Sequence, residues 1–198
     1  MNKAQKYTTR YNGLSTAGKA AEANFTISAN LAYEQLNNFS NDVSHSKNEK
    51  SVKAKAGLSS TKTSLERQIL GLMDSIKTSR GVAKSLANVA MRSDWDTAAA
   101  AVIGIELSKS GKGTYKHLTD KNSLQALSSL PESITGLKQE TLDIAKADYL
   151  RTHHPEIQAL TDSADQDYKL VHAMIGVSEK ITADYSKYSE VAINDIDL

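Results

Sequence analysis

Leucines seven residues apart, Leu58, Leu65 and Leu72, are followed two such steps later by Leu86, and they interleave with Ile69, Ile76, Ala83 and Ala90 at spacings of three and four. An α-helix turns once in about 3.6 residues, so this spacing gathers the apolar side chains into one narrow stripe that another helix must cover. The rhythm recurs earlier through Phe25, Ala29, Ala32, Leu36, Phe39 and Val43, and later through Ile157, Leu160, Ala164, Tyr168, Val171, Ile175, Ile181, Tyr185 and Tyr188. Alternating β-branched runs are absent, and only two prolines interrupt 198 residues, where turn-rich β folds use more. The pattern predicts an all-α chain, an elongated helical bundle with long antiparallel helices.

Hydrophobic residues make up 39% of the chain, with two phenylalanines, one tryptophan and eight tyrosines, thin filling for a single compact globule of this length. Elongated helices sharing small cores, or protomers completing one another, fit better. The helix–helix contacts are expected at Phe25, Leu36, Phe39, Leu58, Leu65, Ile69, Leu72, Ile76, Leu86, Val171 and Ile175. The stripe from Leu58 reads as the centre of a bundle, paired with the Phe25 helix as a hairpin and closed by the acidic helix that ends the chain.

Four segments are predicted. Residues 1–19, with Gly13, Gly18 and several Ser and Thr, read as a flexible lead-in. Residues 20–107 read as a helical hairpin plus a short helix, with the first helix over about 20–43 and the second from about Gly57 to Met91. Residues 44–55 carry no breaker and fit either a helix or a loop. Gly71 and Gly81 inside the second helix mark close packing, a hinge being the alternative. Ser93 caps the short helix, and the apolar run Ala98 to Ile105, with Trp95 at its mouth, makes it the most buried element or else a patch for a partner. Residues 108–114 form a flexible loop. Residues 115–198 hold C-terminal helices that pack on the first half: one over Tyr115 to Leu130, one opened by Pro131 and reaching Tyr149, and one opened by Pro155 that frays near Asp195-Ile196-Asp197-Leu198.

No chemistry of comparable strength is written in the chain. Cysteine is absent, which removes disulfides, thiolate nucleophiles and cysteine-ligated zinc. The pair Gly111-Lys112 fails the phosphate-loop pattern, because Glu106 stands where glycine is needed and Gly113 where serine or threonine is needed. His153 and His154 are adjacent and diverge on a helix, and no H-x-x-x-H or E-x-x-H spacing occurs, so no metal ligands are assigned and His153 reads as a helix cap. Asp165 and Asp167 diverge likewise. No G-x-S-x-G turn marks a nucleophile. The sequence predicts no catalytic residues, no cofactor and no enzyme.

Net charge is +1, unevenly spread. Nine basic residues from Lys47 to Lys84 face Glu49, Glu66 and Asp74, whereas from Glu140 onward twelve acids face Lys146, Arg151, Lys169, Lys180 and Lys187. Such halves pair within one bundle or head to tail between copies, and nucleic acid would be met only through a non-specific basic surface. The polar start Met1-Asn2-Lys3-Ala4-Gln5-Lys6 does not read as a Sec signal, and Ala98 to Ile105 is far short of a membrane span.

Size, helical content, lack of cysteine and an early Ala/Asn/Gln-rich helix, Ala20-Ala21-Glu22-Ala23-Asn24 through Tyr33-Glu34-Gln35-Leu36-Asn37, resemble the small internal core or ejection proteins of short-tailed bacteriophages. The resemblance covers the first half of the chain and has no family-specific motif. It implies a homo-oligomer that assembles with other virion proteins at the portal and is delivered as part of a DNA conduit, located in the virion or in the host cytoplasm during assembly. The chain departs from that pattern in lacking a long apolar segment for insertion. A secreted helical subunit of a bacterial injection apparatus and an intracellular adaptor or chaperone are the alternative expectations.

Overall fold

Serine at position 15 sets where the first helix begins. In the computed structural model, which describes residues 11–42, 44–92, 94–109 and 118–190, the Ser15 hydroxyl accepts the Gly18 N–H at 3.0 Å and caps α1, Thr16–Asn41. The remaining elements are α2 (Lys47–Ala90), α3 (Thr97–Lys109), α4 (Lys121–Ser128), α5 (Glu132–Thr135), α6 (Gln139–His153) and α7 (Pro155–Glu190), with no strand among the described residues. The protein is an all-α helical bundle.

Contacts divide the chain into two compact units. The first holds the described residues up to Thr78 together with those from Asp162 onward, and the second is Ser79–Thr161. Of the loop expected at residues 108–114, 108 and 109 belong to α3 and 110–114 lie outside the described residues.

In the first unit, α1, α2 and α7 share one core. Phe25, Ala29, Ala32, Leu65, Leu72, Leu170, Met174, Ile181 and Tyr185 are buried there. Helix directions follow from the contacts. Ser15 meets Asp167 and Gln35 meets Tyr185, so α1 and α7 run parallel. Ser28 meets Gln68 whereas Gln35 lies beside Gly57, so α2 runs antiparallel to α1. The Tyr185 hydroxyl donates to Gln35 Oε1 at 2.7 Å, its ring stands edge-on to Phe39 at 6.2 Å, and Gly57 leaves room for it. Burial pushes the Tyr185 phenol above its ordinary 10.0.

The flexible lead-in is corrected from residue 11 onward; residues 1–10 lie outside the described residues. Leu14 and Gly18 are buried, and Tyr11 packs against the core. The cause is Asp167, 2% exposed, whose carboxylate accepts the Ser15 N–H at 3.1 Å and the Ser15 hydroxyl at 2.5 Å. Gly18 permits this approach, since a Cβ there would sit 2.0 Å from Asp167 Oδ1.

Residues 44–55 are settled by a capping box. The Ser46 N–H donates to Glu49 Oε2 at 2.9 Å while the Glu49 N–H donates to Ser46 Oγ at 3.3 Å, starting α2 at Lys47. The helix then continues without a break past Gly71 and Gly81. A Cβ at either would meet nothing within 4 Å, so close packing there is corrected.

In the second unit, Leu127, Leu137 and Leu142 form a core joined by Leu107 and Leu118. Gly104 brings α3 onto α4, where a Cβ would lie 3.0 Å from the Ala126 carbonyl oxygen. Apart from this contact α3 is not the most buried element: Ala100 and Gly104 are its buried residues, and Val102 is 57% exposed. Its cap is Asp96, whose Oδ1 accepts the Ala99 N–H at 2.7 Å, rather than Ser93, which lies outside the described residues. The helix expected over Tyr115 to Leu130 is α4, begun by Asp120, which accepts the Ser123 N–H at 2.8 Å; residues 115–117 lie outside the described residues. Pro131 precedes α5 as its cap, and Gly136, at φ +66°, separates α5 from α6 where one helix to Tyr149 was expected.

The core predicts two outcomes. Leu72→Asp removes a buried leucine and buries an unpaired carboxylate, a cost of about 4 kcal/mol or more, and circular dichroism should show an unfolded or strongly destabilised chain. Gly18→Ala should cost about 2–3 kcal/mol in chemical denaturation by driving Asp167 off Ser15, whereas Gly81→Ala, in open space, should leave stability unchanged or slightly raised.

Candidate interaction surface

A helix that buries one stripe and still shows large apolar side chains elsewhere has a second face to cover. On α1, Ile27 and Leu31 project on the side away from Phe25 and Ala29 and are exposed. On α2, Leu70 and Met73 are exposed in the first unit, and Val82, Leu86 and Val89 in the second.

The expected contact residues separate accordingly. Phe25, Leu36, Leu65, Ile69, Leu72, Ile76 and Val171 are buried, and Phe39, Leu58 and Ile175 are partly buried against the same core. Leu86 departs, at 42% exposed. A strict seven-residue repeat drifts about 20° per step around a straight helix, so by the fourth step after Leu58 the leucine has walked about 80° out of the seam. Ala83 and Met91 are buried in that stretch instead.

In the second unit an open groove of about 720 Å³ lies between the end of α2, the bend before α3, and helices α4 and α6. Ala87, Met91, Ala100 and Leu150 give it apolar walls, Trp95 a half-buried aromatic edge, and Arg92 and Lys146 positive charge against Asp96. Beside it Asp94 is held by Lys121 at 3.0 Å, and its backbone N–H donates to Asn122 Oδ1 at 3.0 Å. The hydrogen bond from Lys121, then that from Asn122, holds the Asp94 carboxyl below its ordinary range. Apolar walls with two cations suit an extended segment carrying carboxylates more than a cation or a neutral sugar.

His153 and His154 finish α6. His153 ends α6 with its ring 4.5 Å from that of Tyr149, and the His154 N–H caps the helix by donating to the Leu150 carbonyl at 2.7 Å, so the cap is His154 rather than His153. His154 Nδ1 lies 3.3 Å from Glu156 Oε1, and His172 stands edge-on to Tyr168 at 4.7 Å. Among the described residues no three histidine or carboxylate groups are placed to hold a metal ion, and no helix is long and apolar enough to cross a membrane. Asp165 and Asp167 diverge as expected, Asp165 exposed and Asp167 buried, and Asp167 is a structural anchor. The residues missed by pattern reading are Ser46 and Glu49, whose S-x-x-E spacing is a readable signal.

No family model, curated protein or solved structure matches this chain.

Carboxylates at the bends give a pH dependence. Asp42 is held far below the carboxylate range by the Ser44 side chain and N–H, and Glu49 is lowered from 4.5 by the Ser46 N–H and hydroxyl. A folded-state pKa below the unfolded one contributes stability that is complete above the ordinary value and lost as pH falls through and below it. Glu49→Gln keeps the box geometry without the charge, so its melting temperature should fall less than that of the parent chain between pH 6 and pH 3 (about three units spanning the carboxylate range), as read by thermal circular dichroism.

Proposed function

We propose that this chain is a non-enzymatic helical assembly protein, a self-associating component of a bacteriophage particle of the internal core or DNA-ejection kind, acting through helix faces that its own fold leaves uncovered. The observation that carries this reading is the set of exposed apolar side chains at helical spacing, Ile27 with Leu31 and Val82 with Leu86 and Val89, on helices whose opposite sides are packed. The early Ala/Asn/Gln-rich segment that resembles ejection proteins lies within α1, which supplies one such face. Two kinds of contact between copies are available to it. Apolar faces associate irrespective of salt, and the basic stretch Lys47 to Lys84 attracts the acidic residues from Glu140 onward at low salt.

Light scattering should therefore give masses above 21.5 kDa that rise with concentration, larger at about 50 mM salt than at about 500 mM, where charge contacts are screened. A monomer at every concentration that binds one partner protein 1:1 would overturn the reading in favour of an adaptor. Gene neighbours encoding capsid and portal proteins, and the chain's presence in purified particles by mass spectrometry, distinguish a virion component from a subunit of an injection apparatus.

A further inference from the structure

We infer that Val82, Leu86 and Val89 form a two-fold, antiparallel contact between two copies of α2, centred between Ser85 and Leu86; this rests on the self-association proposed above and names its salt-resistant interface. All three are exposed, Val89 by 72%, although each is a branched apolar side chain. On a helix they fall within about 60° of one another, which makes them one face rather than three isolated residues.

Beside these residues on α2, Ser79 and Ser85 are small and uncharged. Small neighbours let a second helix approach closely around the branched residues.

Charge selects a copy of the same chain over an acidic partner. The stretch from Lys77 to Arg92 holds four cations and no acid, yet Arg80 and Lys84, each two residues from Val82, project about 200° away from it and Lys77 about 140° away, while Arg92, beyond the end of α2, lines the groove beside Trp95. Two such faces therefore meet without bringing like charges together. The spacing is self-complementary as well: turned about a point between Ser85 and Leu86, Val82 of one copy falls opposite Val89 of the other. A bilayer is disfavoured because the cations that would reach anionic headgroups point away from the apolar residues that would enter it. Three side chains over two turns are fewer than a stable dimer interface uses, so the pairing is concentration-dependent and serves within a larger assembly.

The chain has no cysteine among its residues, so single thiols report the geometry directly. Leu86→Cys in the full chain, with a mild thiol oxidant at high salt, should give a covalent dimer in most of the protein, while Lys84→Cys, on the opposite side, stays monomeric. Val82→Cys and Val89→Cys should each cross-link poorly alone and well when mixed. Efficient self-cross-linking of all three would instead report a parallel pair and overturn the antiparallel contact. Leu86→Glu should keep its melting temperature and lose the high-salt dimer by light scattering. If the parent chain assembles but Leu86→Cys does not cross-link and Leu86→Glu assembles equally, the interface is overturned while self-association stands; if the parent is monomeric throughout, both fall. Should Leu86→Glu keep the dimer but lose binding to phosphatidylglycerol vesicles, the face belongs to a lipid surface and the pairing is overturned.

Discussion

Burial of a single carboxylate governs how the first unit closes. Asp167 sits 152 residues from Ser15 in sequence, and its two oxygens accept the backbone and hydroxyl protons of Ser15. A buried carboxylate without such partners would cost several kcal/mol, roughly the whole margin of a small domain's stability. Placing α1 anywhere else would therefore leave Asp167 unsatisfied. The same contact sets the parallel run of α1 and α7, which brings Tyr185 to Gln35 and Phe39 about five turns further along. Gly18 is the necessary gap, since any side chain there would occupy the space of the carboxylate.

Much of the helical core was legible because burial within a bundle leaves a periodic trace. Leu65, Ile69, Leu72 and Ile76 repeat at four, three and four and are buried. Boundaries were less legible, for a definite reason: polar residues end helices through particular hydrogen bonds rather than through composition. Ser46 and Glu49 form a box that was readable but lay in a charged stretch with no apolar rhythm to draw attention to it. Ser15 looked like part of a loose Ser/Thr/Gly segment, and its partner Asp167 could be found only once the fold brought the two together. Gly136 broke a helix that apolar spacing had carried straight through, because a left-handed residue interrupts the backbone without disturbing the pattern of side chains.

The surface was legible only in part. The seven-residue repeat that predicts a seam at Leu58, Leu65 and Leu72 extends to Leu86 by the same count, yet a straight helix cannot keep that repeat on one side for four steps. Sequence spacing treats a stripe as continuous, whereas packing treats it as a line that winds away from whatever lies beside it. Alanine at 83 takes over the buried position where a leucine in strict register has left it. The groove beside Trp95 had even less trace in sequence, since its walls come from α2, α3, α4 and α6 and no two of those segments share a motif.

That winding leaves an apolar face in the open. A leucine that drifts out of a core is ordinarily replaced by a polar residue, because an exposed branched side chain contributes little to folding and promotes association. Here the drifting position stays leucine and acquires valines one turn before and after it, while the cations of the same stretch are placed around the other sides of the helix. Folding alone does not require that arrangement, because Ala83 and Met91 already fill the buried side. The association proposed above would use it: apolar contact would give the attraction, and displaced charge would keep the basic stretch from repelling a second copy. One helix thus packs into the chain's own core along its first half and carries an open apolar face along its second.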